Sequence, residues 1–305
     1  MKKKPPLGHT TWFLRRCFRR FCIIGFVLLF RPGPLPLYGM DWPSPSAQVI
    51  RNFGWNDRGL PRLGSSFAAS GTLRAAETGE LLFARRETDS ASRLPAPLGT
   101  WIALDHGEGL ISIYSRFDDR GVTQIPDQVR KNTSLGNAGI SGWANQEGFY
   151  FALFDRKERR WVNPSMIITP FEDTTAPLIQ SVALKNAEGQ IIDPALNRNI
   201  RQGRYTVSVY ATDTQNQATI LAPHRIVCSV NGTEIGALNF ETYSARDGVL
   251  LVYRNGLVPV KQIYAPYPAF EAGEVWLNRG QATLEIIAQD IAGNSQSVLY
   301  RLTVE

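Results

Sequence analysis

The sequence predicts an all-β chain built of two regions, and three observations carry that reading. Residues 42–170 hold short apolar runs, Leu81-Leu82-Phe83 and Trp101-Ile102-Ala103-Leu104 among them, separated by turn residues and without any long helical period. From residue 178 onward the pattern changes to two-residue alternation, with Tyr205, Val207, Val209 and Ala211 on one face and Thr206, Ser208, Tyr210 and Thr212 on the other. That is the signature of a half-buried antiparallel strand. Between the two lies Phe171-Glu172-Asp173-Thr174-Thr175-Ala176-Pro177, a charged, Pro-terminated stretch suited to a linker. A chain of 305 residues has room for two domains with a core each. The expected organisation is a leader over 1–39, a first domain over 40–170, a linker over 171–177 and a second domain over 178–305.

Within the second domain, Gly203, Val207, Val209, Ala211 and Asp213 are echoed at the same spacing by Gly280, Leu284, Ile286, Ala288 and Asp290. Asn231-Gly232 lies between two strand-like runs and tolerates the positive φ of a tight hairpin turn. Asp290-Ile291-Ala292-Gly293-Asn294 reads as another turn, followed by alternation at Val298, Tyr300, Leu302 and Val304. These features predict one immunoglobulin-like β-sandwich, larger than the usual ~100 residues. Asp213 and Asp290, beside turns, have two readings, turn capping and calcium binding. In the first domain, residues 85–99 read as a surface loop between strands, and Arg156-Lys157-Glu158-Arg159-Arg160 as a solvated hairpin loop.

The formal charge of +6 points at first to a nucleic-acid or membrane-surface partner. Eight of the 33 basic residues precede residue 40 (Lys2, Lys3, Lys4, Arg15, Arg16, Arg19, Arg20 and Arg31), leaving 25 against 27 acidic ones. A body that is slightly acidic gives no support for binding a phosphate backbone, so no nucleic-acid partner is expected. The basic segment, the apolar run Phe21–Phe30 and the Pro-rich stretch ending in Leu37-Tyr38-Gly39 have the layout of an export signal. Ten apolar residues fall short of the ~20 that span a bilayer. Cleavage is expected after Gly39, and membrane contact only through an uncleaved leader. Cys17 and Cys22 belong to the leader, Cys22 lacks a lipidation pattern, and Cys228 is left as a buried small apolar residue.

Six short motifs fall in a fixed order along residues 42–170. They are Trp42-Pro43 with Asn52-Phe53-Gly54-Trp55, then Ser70-Gly71-Thr72 running through Ala75-Ala76 to Gly79-Glu80-Leu81, then Asp105-His106-Gly107-Glu108-Gly109 with Tyr114-Ser115-Arg116. Leu135-Gly136, Gly139-Ile140-Ser141-Gly142-Trp143 and Val162-Asn163-Pro164 complete the series. Each is weak alone. In this order they resemble the LytM/lysostaphin-like peptidoglycan metalloendopeptidases, which implies the duplicated hybrid motif fold, an antiparallel β domain.

In that family a zinc ion is held by His-x-x-x-Asp and by the second His of His-x-His, and further histidines assist the bound water. Aligned on Gly64, the first pair falls on Arg62 and Ser66. Aligned on the strand after Gly148, the second pair falls on Phe149 and Phe151, and the Tyr-x-His histidine on Arg116. Outside the leader only His106 and His224 remain. His106 belongs to the Asp-His-Gly turn, which in the family is structural. The resemblance therefore implies a degenerate, non-catalytic member without a cofactor. Arg62, Ser66, Tyr114, Arg116, Phe149 and Phe151 are the candidate ligand groove. For the two Phe the alternatives are core packing and the base of a groove; for the two Arg, solvated charge and anchoring an anion such as a stem-peptide carboxylate. The expected role is an exported protein of the periplasm or cell envelope that binds peptidoglycan or regulates a wall hydrolase. Two alternatives stay open: a structural or adhesive envelope protein acting through the sandwich, and a peptidoglycan metalloendopeptidase with unrecognised ligands.

Overall fold

A computed structural model of the chain describes residues 39–88, 96–121, 124–215, 219–264 and 267–305. The leader, with Cys17 and Cys22, and the middle of the 85–99 loop lie outside the described residues. Tyr38–Glu305 form one compact unit. Described secondary structure is almost wholly β, with one short helix at Lys261–Tyr264 and two single 3₁₀ turns.

One strand organises the first region. Gly148–Asp155 pairs along its length with Leu110–Ser115 on one edge. On its other edge it pairs first with Ser65–Ala68 and then with Arg160–Val162. Beyond Leu110–Ser115 the sheet continues through Trp101–Asp105 and Gly79–Arg85, all antiparallel. This is the antiparallel β domain that the motif order implies. The core beneath it gathers Phe67, Ile102, Leu104, Tyr114, Phe149, Phe151 and Leu153, each no more than 1% exposed.

The second region has a pair of sheets around a single core. Thr233–Arg246, Arg225–Val230, Gly280–Gln289 and Ser295–Val304 form one. Leu178–Asn186, Gly203–Gln215 and Phe270–Leu277 form the other. Val207, Val209 and Ala211 of the second sheet and Leu284, Ile286 and Ala288 of the first are all buried in this core. The sequence echo thus marks matching inward faces of two strands in different sheets. Asn231 and Gly232 have φ of 50° and 77° and close the hairpin.

The two regions are stitched together over a wide front. Arg160–Val162 pairs with Thr242–Ser244, so one sheet runs through both. Phe53, Leu63 and Trp161 pack into the core of the second region, and Leu221 into that of the first. Asn52 exchanges two 2.8 Å hydrogen bonds with the Ala222 backbone. The expected linker is itself packed: Phe171 stacks on Trp42 with centroids 5.0 Å apart, and Asn294 Nδ2 donates to the Asp173 carbonyl. Residues 156–160 do form the hairpin connection, tied down by ion pairs of Arg156 with Asp105 and of Lys157 with Glu108.

Candidate functional site

Strand parity decides which side chains can meet. Residues directly opposite in an antiparallel ladder share a face, and a shift of one residue moves a side chain to the other face. Phe149 lies opposite Phe67, and Phe151 opposite Tyr114, all four turned into the core. The Phe149 and Phe67 rings stack at 4.6 Å, and Phe151 meets Tyr114 at 5.2 Å. Tyr114 Oη accepts the Ala76 N–H at 2.9 Å and lies 3.0 Å from Ser112 Oγ. Tyr114, Phe149 and Phe151 are each 0% exposed and so touch no ligand. Of the two readings for Phe149 and Phe151 the structure shows core packing, and Tyr114, a candidate groove residue, is corrected to core with them.

The opposite face carries a different set. Tyr150 lies across from Ser66 on one side and Ser115 on the other. Arg62 Nη1 donates to Ser66 Oγ at 3.3 Å, and its Nη2 pairs with Asp57 at 3.0 Å. Arg116 follows Ser115 at φ 70°, a left-handed turn of the backbone, and its Cζ lies 5.9 Å from the centre of the Tyr150 ring. Gly64 makes room beneath: a Cβ there would stand 2.6 Å from the Tyr150 hydroxyl, the Ala152 Cβ and the Phe151 carbonyl. Arg62, Ser66 and Arg116 are therefore brought together on the face that carries Tyr150. None of these four residues carries an imidazole.

The electrostatics of this face are those of a cation already in place. Two guanidiniums face one carboxylate, Asp57, and among the described residues no carboxylate pairs with Arg116. Burial, and then the like charge of Arg62, lower the Arg116 pKa. Burial pushes the Tyr150 phenol up to about 12, against the pull of both guanidiniums, so it stays a neutral donor. Arg62 Nε and Ser115 Oγ are buried without a hydrogen-bond partner among the described residues. Guanidinium nitrogens have no lone pair to offer a metal, so Arg62 and Arg116 are suited to an anion and not to a zinc ion.

His106 stands apart from the set. Its Nδ1–H donates to the Thr78 carbonyl at 2.8 Å, and its Nε2 meets Ser112 Oγ at 2.7 Å. Both ring nitrogens are engaged in holding a turn.

Asp213 and Asp290 come together with Asp173, their nearest carboxylate oxygens within 4.8 Å of one another. The turn-capping reading accounts for several of these oxygens: Asp290 accepts the Asn294 N–H and Nδ2 at 2.8 Å each, and Asp213 accepts the Thr214 N–H at 2.8 Å. Burial first, then Asp290 and Asp173, push Asp213 up to about 7, against its bond from Thr214. The fold favours the neutral acid here, so its contribution is complete below the unfolded value of 3.8 and is lost as pH rises through about 7. Asp213→Asn, which keeps the acceptor and removes the charge, is expected to raise Tm by roughly 2–4 °C at pH 8. Melts at pH 8 and pH 4 check this, since the gain should vanish at the lower pH.

A protein-family model matches residues 176–305. No curated protein matches the chain. Among solved structures, the catalytic domain of the prophage-encoded M23 protein EnpA from Enterococcus faecalis is 18% identical, covers 39% of this chain and 87% of its own, and has a TM-score of 0.32. SpoIIQ in its pore-forming complex with SpoIIIAH gives 17% identity, 43% and 90% coverage and a TM-score of 0.34. The catalytic domain of the antimicrobial peptidase lysostaphin from Staphylococcus simulans gives 15%, 36% and 81%, and 0.31. With the six motifs in order on this antiparallel sheet, residues 42–170 have a LytM-like β fold.

Proposed function

We propose that this is an exported, non-catalytic LytM-like protein of the cell envelope, which binds peptidoglycan or a wall hydrolase and cleaves neither. The observation that carries the reading is the site face itself. Where the resemblance expects zinc ligands and catalytic histidines, this chain has Arg62, Ser66, Phe149, Phe151 and Arg116, and the face that gathers Arg62, Ser66 and Arg116 beside Tyr150 has two fixed positive charges and no imidazole. The basic leader and slightly acidic body support export, with the mature chain beginning near residue 40. In this proposal 40–170 and 178–305 are two domains docked into one body, and the second is the immunoglobulin-like sandwich.

Co-sedimentation of the purified chain with isolated sacculi tests the binding half of the reading, and muropeptide release tests the other. The chain is expected to sediment with sacculi and to release nothing, with or without added Zn²⁺. Zinc should neither bind stoichiometrically nor raise Tm, because only an ion that prefers the folded state stabilises it. One tightly held zinc per chain, or zinc-dependent release of muropeptides, would overturn the proposal in favour of an enzyme.

A further inference from the structure

We infer that Arg62, Arg116 and Tyr150 form a receptor for a single carboxylate, the C-terminal carboxylate of a short peptide. The inference rests on the proposed function for its biological setting and on the site alone for its chemistry. Two guanidiniums close enough to press on one another's charge, both partly withdrawn from water, are held at a cost that an anion between them would remove. Asp57 answers one of them, from the side of Arg62 away from Ser66. Among the described residues one positive charge is left over, which matches a monoanion; a phosphate dianion would leave the face negative.

The donors fit the same guest. A planar guanidinium presents paired N–H groups that match the two oxygens of a carboxylate. Arg116 has such an edge without a carboxylate among the described residues. The neutral Tyr150 hydroxyl makes no hydrogen bond among the described residues. Arg62, Arg116 and Tyr150 each stay partly exposed, so the face is reachable from solvent.

The surroundings point to a carboxylate with an apolar body. The Arg116 N–H donates to the Leu98 carbonyl and the Trp143 N–H to the neighbouring Pro97 carbonyl, at 3.0 and 3.1 Å. Trp143, 71% exposed, therefore stands on a loop pinned beside Arg116. A large apolar side chain left in water beside a cation that meets no carboxylate among the described residues suits small aliphatic residues that end in a carboxylate.

The test is calorimetric titration of the purified full chain with N-acetyl-dialanine and with its C-terminal amide, at low and moderate salt. The acid is expected to bind about tenfold tighter than the amide, the worth of one charge-assisted contact. Arg116→Gln should abolish the preference, and Tyr150→Phe should reduce it, with Tm nearly unchanged in both. Equal binding of acid and amide, a preference that survives Arg116→Gln, or inorganic phosphate displacing the acid at lower concentration would each overturn the inference. Sacculus binding without the acid preference sinks this inference and leaves the proposed function standing. The preference without sacculus binding does the reverse.

Discussion

Phe149→Ala is expected to cost the fold about 3–5 kcal/mol, and the adjacent Tyr150→Phe less than about 1 kcal/mol. Phe149 is 0% exposed and stacks on Phe67 at 4.6 Å, with Trp42 and Phe171 also against the Phe67 ring. Truncating it to Ala removes apolar transfer energy and leaves a cavity in a cluster whose other rings are fixed by their own neighbours. Tyr150→Phe keeps the ring and removes a hydroxyl that makes no hydrogen bond among the described residues. Urea unfolding of both variants measures the difference as a shift in midpoint at constant slope. The contrast is a test of parity. If Tyr150 were the core residue and Phe149 the site residue, the order of the two effects would reverse.

That parity is the one feature of the site that the sequence leaves open. Phe149-Tyr150-Phe151-Ala152-Leu153-Phe154 is apolar or aromatic at every position, and an alternating pattern has no phase when both faces read alike. Anchoring on Gly148 alone names Phe149 and Phe151, whose side chains the strand pairing turns into the core. The signal that settles it is structural: Gly64 has no Cβ because the Tyr150 hydroxyl occupies that space, and Ser66 and Ser115 flank the same ring. By contrast, Arg62, Ser66 and Arg116 are legible, because they sit in motifs with a Gly or a Tyr at fixed distance. The strands at 203–215 and 280–289 are legible for the opposite reason to the 148–155 strand. Val207, Val209 and Ala211 alternate with polar or half-exposed neighbours, so the buried face declares itself.

What the sequence hides most completely is how its first region is built into its second. Asn52-Phe53-Gly54-Trp55 reads as an opening turn of the first domain, and nothing in its residue types announces a distant partner. In the structure Phe53 is 1% exposed within the core of the second region, its ring 5.0 Å from Tyr243. Gly54, at φ 82°, lets Phe240 approach so closely that a Cβ would stand 3.0 Å from it, and its carbonyl accepts the Tyr264 hydroxyl at 2.7 Å. Asn56 Nδ2 reaches the carbonyls of Tyr264 and Ala269. Phe53→Ala is therefore expected to cost about 3–5 kcal/mol, and to cost it in the second region. Hydrogen exchange should show lost protection across 225–230, 233–246 and 280–289, strands more than 170 residues away in sequence, and the variant should still unfold in a single transition. If protection fell only within 40–170, the second core would be independent of Phe53. The two regions would then be separate folding units that merely touch, and the shared strand pairing of Arg160–Val162 with Thr242–Ser244 would carry little of the stability.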